Sequence, residues 1–212
     1  MKNRVLAAIL TSLLLAFSVA SCGSSRYSED EIRGALEELL PKSHALNVIY
    51  FGEGLPLADD NALVEEFYGM FDSDIEAINY HPVDPDCGYA NETEIREATL
   101  EVFTADYAEY LFERAFSGIS ATFNEGGEEA YTTTAVYAMY LEQDGILTAR
   151  INLAEEAIPL GREYDLAGMK ILDEADDVVT VEIPTTMDGR ALDVELRLVK
   201  TDAGWRLDSP TY

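Results

Sequence analysis

The sequence has few of the residues from which most catalytic and metal sites are built. It contains two cysteines, two histidines and one tryptophan in 212 residues. His44 and His81 fall in different predicted elements, and the chain has no G-x-S-x-G motif, so no acyl-transfer triad is indicated. Zinc sites need closely spaced cysteine and histidine, and no such cluster occurs. We therefore expect no catalytic residues, no metal and no cofactor.

Basic residues are also scarce. Fourteen Lys and Arg stand against 41 Asp and Glu, which gives a formal charge of −27. Nucleic-acid binding depends on neutralising phosphates with Lys and Arg, so this deficit argues against a nucleic-acid partner. It also opposes electrostatic adhesion to anionic lipid. The acidic groups at Asp72/Asp74, Asp84/Asp86 and residues 173–177 lack the spacing of a calcium-binding loop, and we interpret them as solvated turns.

The first 21 residues have the pattern of a secretory signal peptide. Lys2 and Arg4 precede an apolar run over residues 5–17, and small residues follow at 18–21. An apolar run of 13 residues is shorter than the ~20 that a transmembrane helix needs. We therefore predict that residues 1–21 are removed.

The four residues V-A-S-C at positions 19–22 resemble the lipobox of bacterial lipoproteins. The resemblance implies that Cys22 is acylated, with diacylglycerol and a fatty-acyl chain such as palmitate, and becomes the first residue of the mature protein. Because each buried methylene contributes about 0.8 kcal/mol, two or three chains form a stable anchor. The alternative is an ordinary signal peptide cleaved near Ala20 or Ser21, which leaves a free thiol at Cys22.

The mature chain is predicted to be a short tether followed by one domain. Residues 22–28 are mostly small and polar, as in a flexible tether, and residues 29–212 form the domain. Loss of Lys2 and Arg4 leaves 12 basic residues against 41 acidic ones, so the formal charge becomes −29. With Cys22 acylated, Cys87 has no partner for an intramolecular disulfide.

Helical patterns dominate the first half of the domain. Ser28 and Glu31 have capping-box spacing before an amphipathic helix, which Pro41 is expected to bend or break. A second helix is predicted over residues 59–71 and a strand over 75–83. Asn91 and Thr104 are predicted to cap two further linked helices, the second ending at Gly118.

The second half of the domain has the period-two alternation of β-strands. One strand is predicted over residues 131–141, joined through Asp144-Gly145 to a strand over 146–151. Four more strands are predicted near 169–172, 178–183, 191–199 and 205–208. In the third of these, alternate residues from Leu192 to Leu198 should face the core. Helices followed by strands indicate an α+β domain, with the helices on one face of a curved antiparallel sheet.

Two segments resemble known families. The helix order and the ending VELRLVKTDAGWRLDSPTY (194–212) are similar to the cone-shaped nuclear transport factor two-like superfamily and to lipoproteins of Gram-positive gut bacteria that carry such domains. The segment YHPVDPDCGYANETEIREATLEVFTADYAEYLF (80–112) resembles the DL-endopeptidase inhibitor family of cell-wall proteins. Neither segment contains a catalytic signature.

Aromatic side chains are the candidate ligand-binding residues. In a cone-like domain, aromatic rings at the open end pack with their bodies and reach a ligand with their hydroxyl groups. The pocket predicted in this way contains Tyr107, Tyr110, Tyr137, Tyr140 and Trp205. Core-edge packing is the alternative interpretation, and Trp205 in particular is predicted to be at least half-buried.

The sequence therefore favours a membrane-anchored extracytoplasmic lipoprotein with a non-enzymatic binding domain, whose partner is an envelope protein or a small ligand. One alternative is an inhibitor of cell-wall endopeptidases. Another is a small cone-fold isomerase or dehydratase, which requires a buried Asp, Glu or His in its cavity.

Overall fold

Four α-helices and ten β-strands occur in the part of the chain that the computed structural model describes, which comprises residues 26–59, 61–69, 79–117, 120–125, 131–136 and 138–212. The predicted signal peptide, Cys22 and Tyr137 lie outside these residues. The helices are α1 (Glu29–Phe51), α2 (Asn61–Gly69), α3 (Glu92–Val102) and α4 (Ala105–Phe112), and a π-helical turn, Glu113–Ser117, follows α4.

The predicted helix caps are confirmed. The Ser28 hydroxyl accepts from the backbone N–H of Glu31 at 3.1 Å, and the Asn91 side chain accepts from that of Glu94 at 3.0 Å. Thr104 caps α4 in the same way, accepting from the Tyr107 N–H at 3.3 Å. Each cap satisfies a backbone donor that has no partner within its helix, which fixes where the helix begins.

The expected break at Pro41 is wrong, since α1 is one helix of 23 residues with Pro41 inside it. Pro41 is exposed, so its ring points away from the core. The residues on either side of it, Leu39, Leu40 and Leu46, are buried against the rest of the domain. This packing on both sides of Pro41 outweighs the ~3 kcal/mol that proline costs in a helix interior.

The strands are all antiparallel to their neighbours. Their bounds are β1 (Tyr80–Pro82), β2 (Ser120–Glu125), β3 (Tyr131–Val136), β4 (Tyr140–Gln143), β5 (Ile146–Arg150), β6 (Glu163–Tyr164), β7 (Lys170–Ala175), β8 (Val178–Met187), β9 (Arg190–Thr201) and β10 (Gly204–Leu207). The order in the largest sheet is β10-β9-β8-β6, and β7 also pairs with β8. A second sheet has the order β1-β5-β4, and β2 pairs with β3.

The prediction of one strand over residues 131–141 is wrong. This stretch contains two strands with different partners, because β3 pairs with β2 while β4 pairs with β5. The partner strand β2 was not predicted. The turn between β4 and β5 is as predicted: Asp144 and Gly145 both have positive φ, at 50° and 82°, as in a type I′ hairpin.

The fold class is confirmed. The helices pack on one face of a strongly curled antiparallel sheet that forms a half-barrel, in one α+β domain. Buried residues of α1 and of the sheet belong to a single core, with Ile32, Leu36, Val181, Ile183 and Leu198 among its fully buried members. Trp205 is 7% exposed, which confirms its predicted burial.

The alternation predicted for β9 holds only in its second half. Leu196 and Leu198 are buried, whereas Leu192 is 50% exposed. Leu192 is paired with Thr185, which is 4% exposed, so Leu192 has the inward register although half of its side chain is exposed.

Residues 26–28, which the sequence assigns to the flexible tether, are held on the domain. The Arg26 guanidinium donates to the carbonyl of Asp176, and its Nη2 lies 3.3 Å from the Asp177 carboxylate. Tyr27 is buried and packs edge-on against Trp205, with 4.8 Å between ring centroids. The folded part therefore includes at least three residues of the predicted tether.

Candidate functional site

The Arg162 groove is a cavity of about 360 Å³ between α1 and β6. One wall is the face of α1 that carries Leu36, Leu40 and His44, which follow one another at intervals of four residues. This spacing places them one above the other on a helix. The remaining lining residues are Glu37, Pro41, Arg162, Tyr164, Leu166 and Thr211.

The second wall is fixed by β6 and the 3₁₀ turn after it. Tyr164 pairs with Thr185 of β8, and β6 lies at one edge of the largest sheet. Asp165 caps the turn Leu166–Gly168 by accepting from the Ala167 N–H at 3.2 Å. Arg162 comes directly before β6, so its side chain enters the groove from the edge of the sheet.

A buried polar network forms the base of the groove. The Thr211 hydroxyl donates to the Ser43 hydroxyl at 3.1 Å and accepts from the Asn47 amide at 2.8 Å. Ser43 in turn donates to the Leu40 carbonyl at 2.9 Å. The Tyr164 hydroxyl donates to the Thr211 carbonyl at 2.8 Å. These bonds hold the last residues against α1 and leave the groove with a rigid base.

Arg162 is the unsatisfied group of the groove. Its buried Nε has no hydrogen-bond partner in the part of the chain that the structure describes. Within that part no carboxylate lies within ion-pair distance of it, although Glu37 lines the same groove. Burial raises the pKa of Tyr164, and a hydrogen bond from the Arg162 guanidinium, together with its charge, opposes that rise. A buried donor without an acceptor costs about 1–3 kcal/mol, so an acceptor supplied from outside would be favoured here.

The arginines that line two other cavities have partners. Arg150 also has an unpaired Nε, but its guanidinium forms an ion pair with Glu156 at 2.5 Å. A hollow of about 530 Å³ at the junction of α3 and α4 contains Arg197 and Arg206. Arg197 is paired there with Asp208 at 2.8 Å, and Arg206 donates to the Leu100 carbonyl at 2.9 Å. The Arg162 groove is therefore the better candidate for a site that receives a ligand.

The two histidines differ in their surroundings. His44 is exposed at the groove rim, and no hydrogen bond to its ring is found among the described residues. His81 lies in β1, with Nε2 3.0 Å from the Ala58 carbonyl and Nδ1 3.1 Å from the Tyr68 hydroxyl. The expectation that His81 lacks a positioned partner is wrong, because these partners come from residues distant in the sequence. Neither partner is a carboxylate.

Of the predicted pocket residues, Tyr107 and Tyr110 come together with the last residue of the chain. The ring of Tyr107 lies 6.4 Å from that of Tyr110 and 5.0 Å from that of Phe103, while Tyr212 stacks on Phe51 at 4.0 Å. Burial, followed by the nearby Tyr212 and Tyr110, raises the pKa of Tyr107. Tyr110 is 49% exposed. This aromatic cluster neighbours the groove, because Thr211 lines the groove and Tyr212 joins the cluster.

Tyr140 and Trp205 lie in the core and do not line the groove. The Tyr140 hydroxyl donates to the Ile49 carbonyl and accepts from the Leu55 N–H, both at 3.0 Å. Gly54, at φ 81°, lets the chain pass close to this hydroxyl, since a Cβ there would lie 3.0 Å from it. Trp205 donates its Nε1–H to Glu31 at 3.1 Å. Tyr137 lies outside the described residues.

Arg162 was not predicted from the sequence. The one feature of the sequence that marks Arg162 is that it is the sole basic residue between Arg150 and Lys170. Nothing in that pattern shows that its Nε is buried.

Among the described residues, no group of three or more His, Cys, Asp or Glu side chains comes together to hold a metal. None of the described helices combines the length and apolar character needed to cross a bilayer.

No protein-family model matches this chain, and no curated protein matches it significantly.

Proposed function

We propose that this chain is a lipid-anchored extracytoplasmic protein whose domain binds, without chemical conversion, a small ligand carrying one carboxylate and an apolar body. The observation that carries the proposal is the Arg162 Nε, a buried donor without an acceptor that lines an open groove. A carboxylate is the natural acceptor for a guanidinium because it accepts two parallel hydrogen bonds. Leu40, Pro41 and Leu166 offer the apolar surface for the rest of the ligand.

The scarcity of basic side chains supports this choice of ligand. Acidic residues far outnumber basic ones in the whole chain, 41 to 14, yet Arg162 has no carboxylate partner in the described part. Arg114 also lacks a carboxylate partner there, but it donates to the Tyr50 carbonyl at 3.1 Å. Arg190 is exposed next to the β8–β9 turn and is an obvious control for a change of charge.

The non-enzymatic part of the proposal rests on His44. It is the histidine at the groove, and a general base requires a group that orients its ring. In the described part of the chain His44 has no such hydrogen bond, and His81, which has two, is not among the lining residues of the groove. The groove therefore offers a place to bind and orient a ligand without a positioned acid–base pair.

The ligand class is tested with octanoate as the probe and octanamide as its uncharged counterpart, using isothermal titration calorimetry on the mature chain. We expect saturable binding of octanoate at Arg162, with at least tenfold weaker binding of octanamide. Arg162→Met should weaken octanoate binding at least tenfold, whereas Arg190→Met, which makes the same change of charge, should leave it unchanged. Equal binding of acid and amide, equal effects of the two variants or no saturable binding of octanoate would each refute the ligand class.

The anchor is tested separately by mass spectrometry of the mature N-terminus. We expect a diacylglyceryl group on Cys22, and we expect Cys22→Ala to release the protein from the membrane fraction. An unmodified residue 22, or a mature chain that begins elsewhere, would refute the anchor and leave the binding test unaffected.

A further inference from the structure

The first described residue, Arg26, is attached to the turn between β7 and β8. Its backbone N–H donates to the Glu174 carboxylate at 2.8 Å, and its guanidinium donates to the Asp176 carbonyl at 2.5 Å. A third contact, of 3.3 Å, joins its Nη2 to Asp177. Backbone and side chain are therefore both attached to the same turn.

The next two residues hold the chain against the domain up to the start of α1. Tyr27 is 8% exposed, and its hydroxyl donates to Asp177 at 3.3 Å. Ser28 is already the N-cap of α1. Tyr27 packs against Trp205, so the chain is held on the domain directly after Arg26.

The chain between Cys22 and Arg26 is short. Only residues 23–25 separate them, so whatever conformation these residues adopt, the two Cα atoms lie within about 14 Å of each other. This length is less than half that of β9, whose 12 residues span about 37 Å.

We infer that the end of the domain formed by the β7–β8 and β9–β10 turns faces the membrane, and that the β8–β9 turn points away from it. The inference rests on the proposed acylation of Cys22, and it adds an orientation that the lipid anchor alone does not give. The two turns lie together, because Lys200 near the end of β9 donates its N–H to the Asp177 carbonyl at 2.7 Å.

Charge holds the domain off the surface of the bilayer. The membrane-facing end carries Asp176, Asp177 and Asp202, and the whole chain is strongly acidic. Repulsion from anionic lipid acts over about 8 Å at physiological salt, which is within the length of the tether. The groove residues of α1, seven to fifteen positions after Glu29, lie about 10–22 Å further along the helix and so remain accessible.

The orientation is tested with the full lipidated chain, isolated from bacterial membranes and reconstituted into vesicles that contain a headgroup-spin-labelled lipid. Two variants are made in a Cys87→Ser background, each with one fluorophore. Asp202→Cys places it at the end predicted to face the membrane, and Arg190→Cys places it at the opposite end. Both positions are exposed and their side chains make no hydrogen bond in the described structure. We expect the lipid to quench the label at 202 several-fold more strongly than the label at 190.

A longer tether is the matched control. Inserting 20 Gly and Ser residues between Ser25 and Arg26 adds about 25 Å of root-mean-square reach without altering the contacts of Arg26, and it should remove most of the difference. Equal quenching of the two labels in protein that floats with the vesicles would overturn the orientation alone. Protein that does not float and has an unmodified Cys22 would overturn the anchor, and the orientation with it.

Discussion

At two places on α1 a glutamate lies near a basic and an aromatic residue. The two places differ in whether the glutamate bonds to these neighbours. At the start of α1, Glu31 accepts from Lys200 Nζ and from Trp205 Nε1, both at 3.1 Å. In the Arg162 groove, Glu37 lines the same cavity as Arg162 and Tyr164 but forms no ion pair with Arg162 in the described structure.

The difference separates a structural cluster from the proposed binding site. The Lys200 ammonium lies 4.8 Å above the Trp205 ring, and Tyr27 covers another part of that ring. Each polar group named there has a partner within the domain. In the groove the Arg162 Nε has none, and the four predictions below test this contrast.

The largest effect is expected for Trp205→Ala. Removing a buried tryptophan costs about 3–5 kcal/mol, and here Glu31 also loses a donor. Trp205→Phe, which keeps most of the ring, should cost less. Denaturant unfolding measures both variants. A Trp205→Ala variant that melts within a few degrees of the parent would show that the Trp205 cluster is not structural.

The next largest effect is expected for Tyr140→Phe. Comparing it with Tyr110→Phe tests whether the hydroxyls of these two predicted pocket tyrosines already have partners. Loss of the Tyr140 hydroxyl leaves the buried Leu55 N–H without its acceptor, which costs about 1–3 kcal/mol. Tyr110→Phe removes a hydroxyl from a half-exposed ring and should change stability by less than about 0.5 kcal/mol. Equal losses of stability in the two variants would contradict this assignment of Tyr140 to the core.

The two histidines also differ in whether the side chain has hydrogen-bond partners in the described structure, with a smaller expected effect on stability. His81→Gln breaks at least one of two hydrogen bonds and should lower the free energy of unfolding by about 0.5–1.5 kcal/mol. His44→Gln should leave stability unchanged. Calorimetry with octanoate should give the parent affinity for both variants and for the double variant. Turnover of a ligand by the parent that the double variant loses would identify an enzyme instead.

The smallest effect is a pH dependence at Glu31. The hydrogen bonds from Lys200 and then from Trp205 lower the pKa of Glu31 below its ordinary value of 4.5. A carboxylate with a lowered pKa stabilises the fold above the unfolded value, and this contribution is lost as the pH falls through the folded value. The melting temperature of Glu31→Gln should therefore lie below that of the parent at pH 6 and approach it near pH 3.

Glu37→Gln is the control for that measurement. It makes the same change of charge on the same helix, six residues further along, without breaking an ion pair. A pH-dependent difference of equal size in both variants would show that the effect comes from the overall charge of the domain rather than from the Glu31 contacts.

Local signals in the sequence were enough to predict most of the elements. Side-chain caps at Ser28, Asn91 and Thr104 act within three residues, and the Asp-Gly turns have a backbone geometry of their own. The exceptions depend on distant contacts. Pro41 stays in a helix because of packing on both sides of it, and residues 131–141 divide because their two halves have different partner strands.

The candidate site was much less predictable. Aromatic composition led to Tyr107, Tyr110, Tyr140 and Trp205, but the sequence does not show whether a hydroxyl or an indole N–H already has a partner. Tyr140 has its partners in the core, and the Trp205 indole N–H donates to the exposed Glu31. Arg162 is significant only because its Nε is buried without an acceptor, a property that arises when β6 packs beside α1.

Pro41 has a consequence for the motions of α1. Since proline has no N–H, the Glu37 carbonyl has no helical donor, and the hydrogen-bond ladder is interrupted beside the groove. Amide hydrogen exchange should therefore resolve α1 into two segments that open separately, one held by the Trp205 cluster and the other by the Ser43–Asn47–Thr211 network. Because the groove spans this interruption, a bound ligand should slow exchange in both segments together.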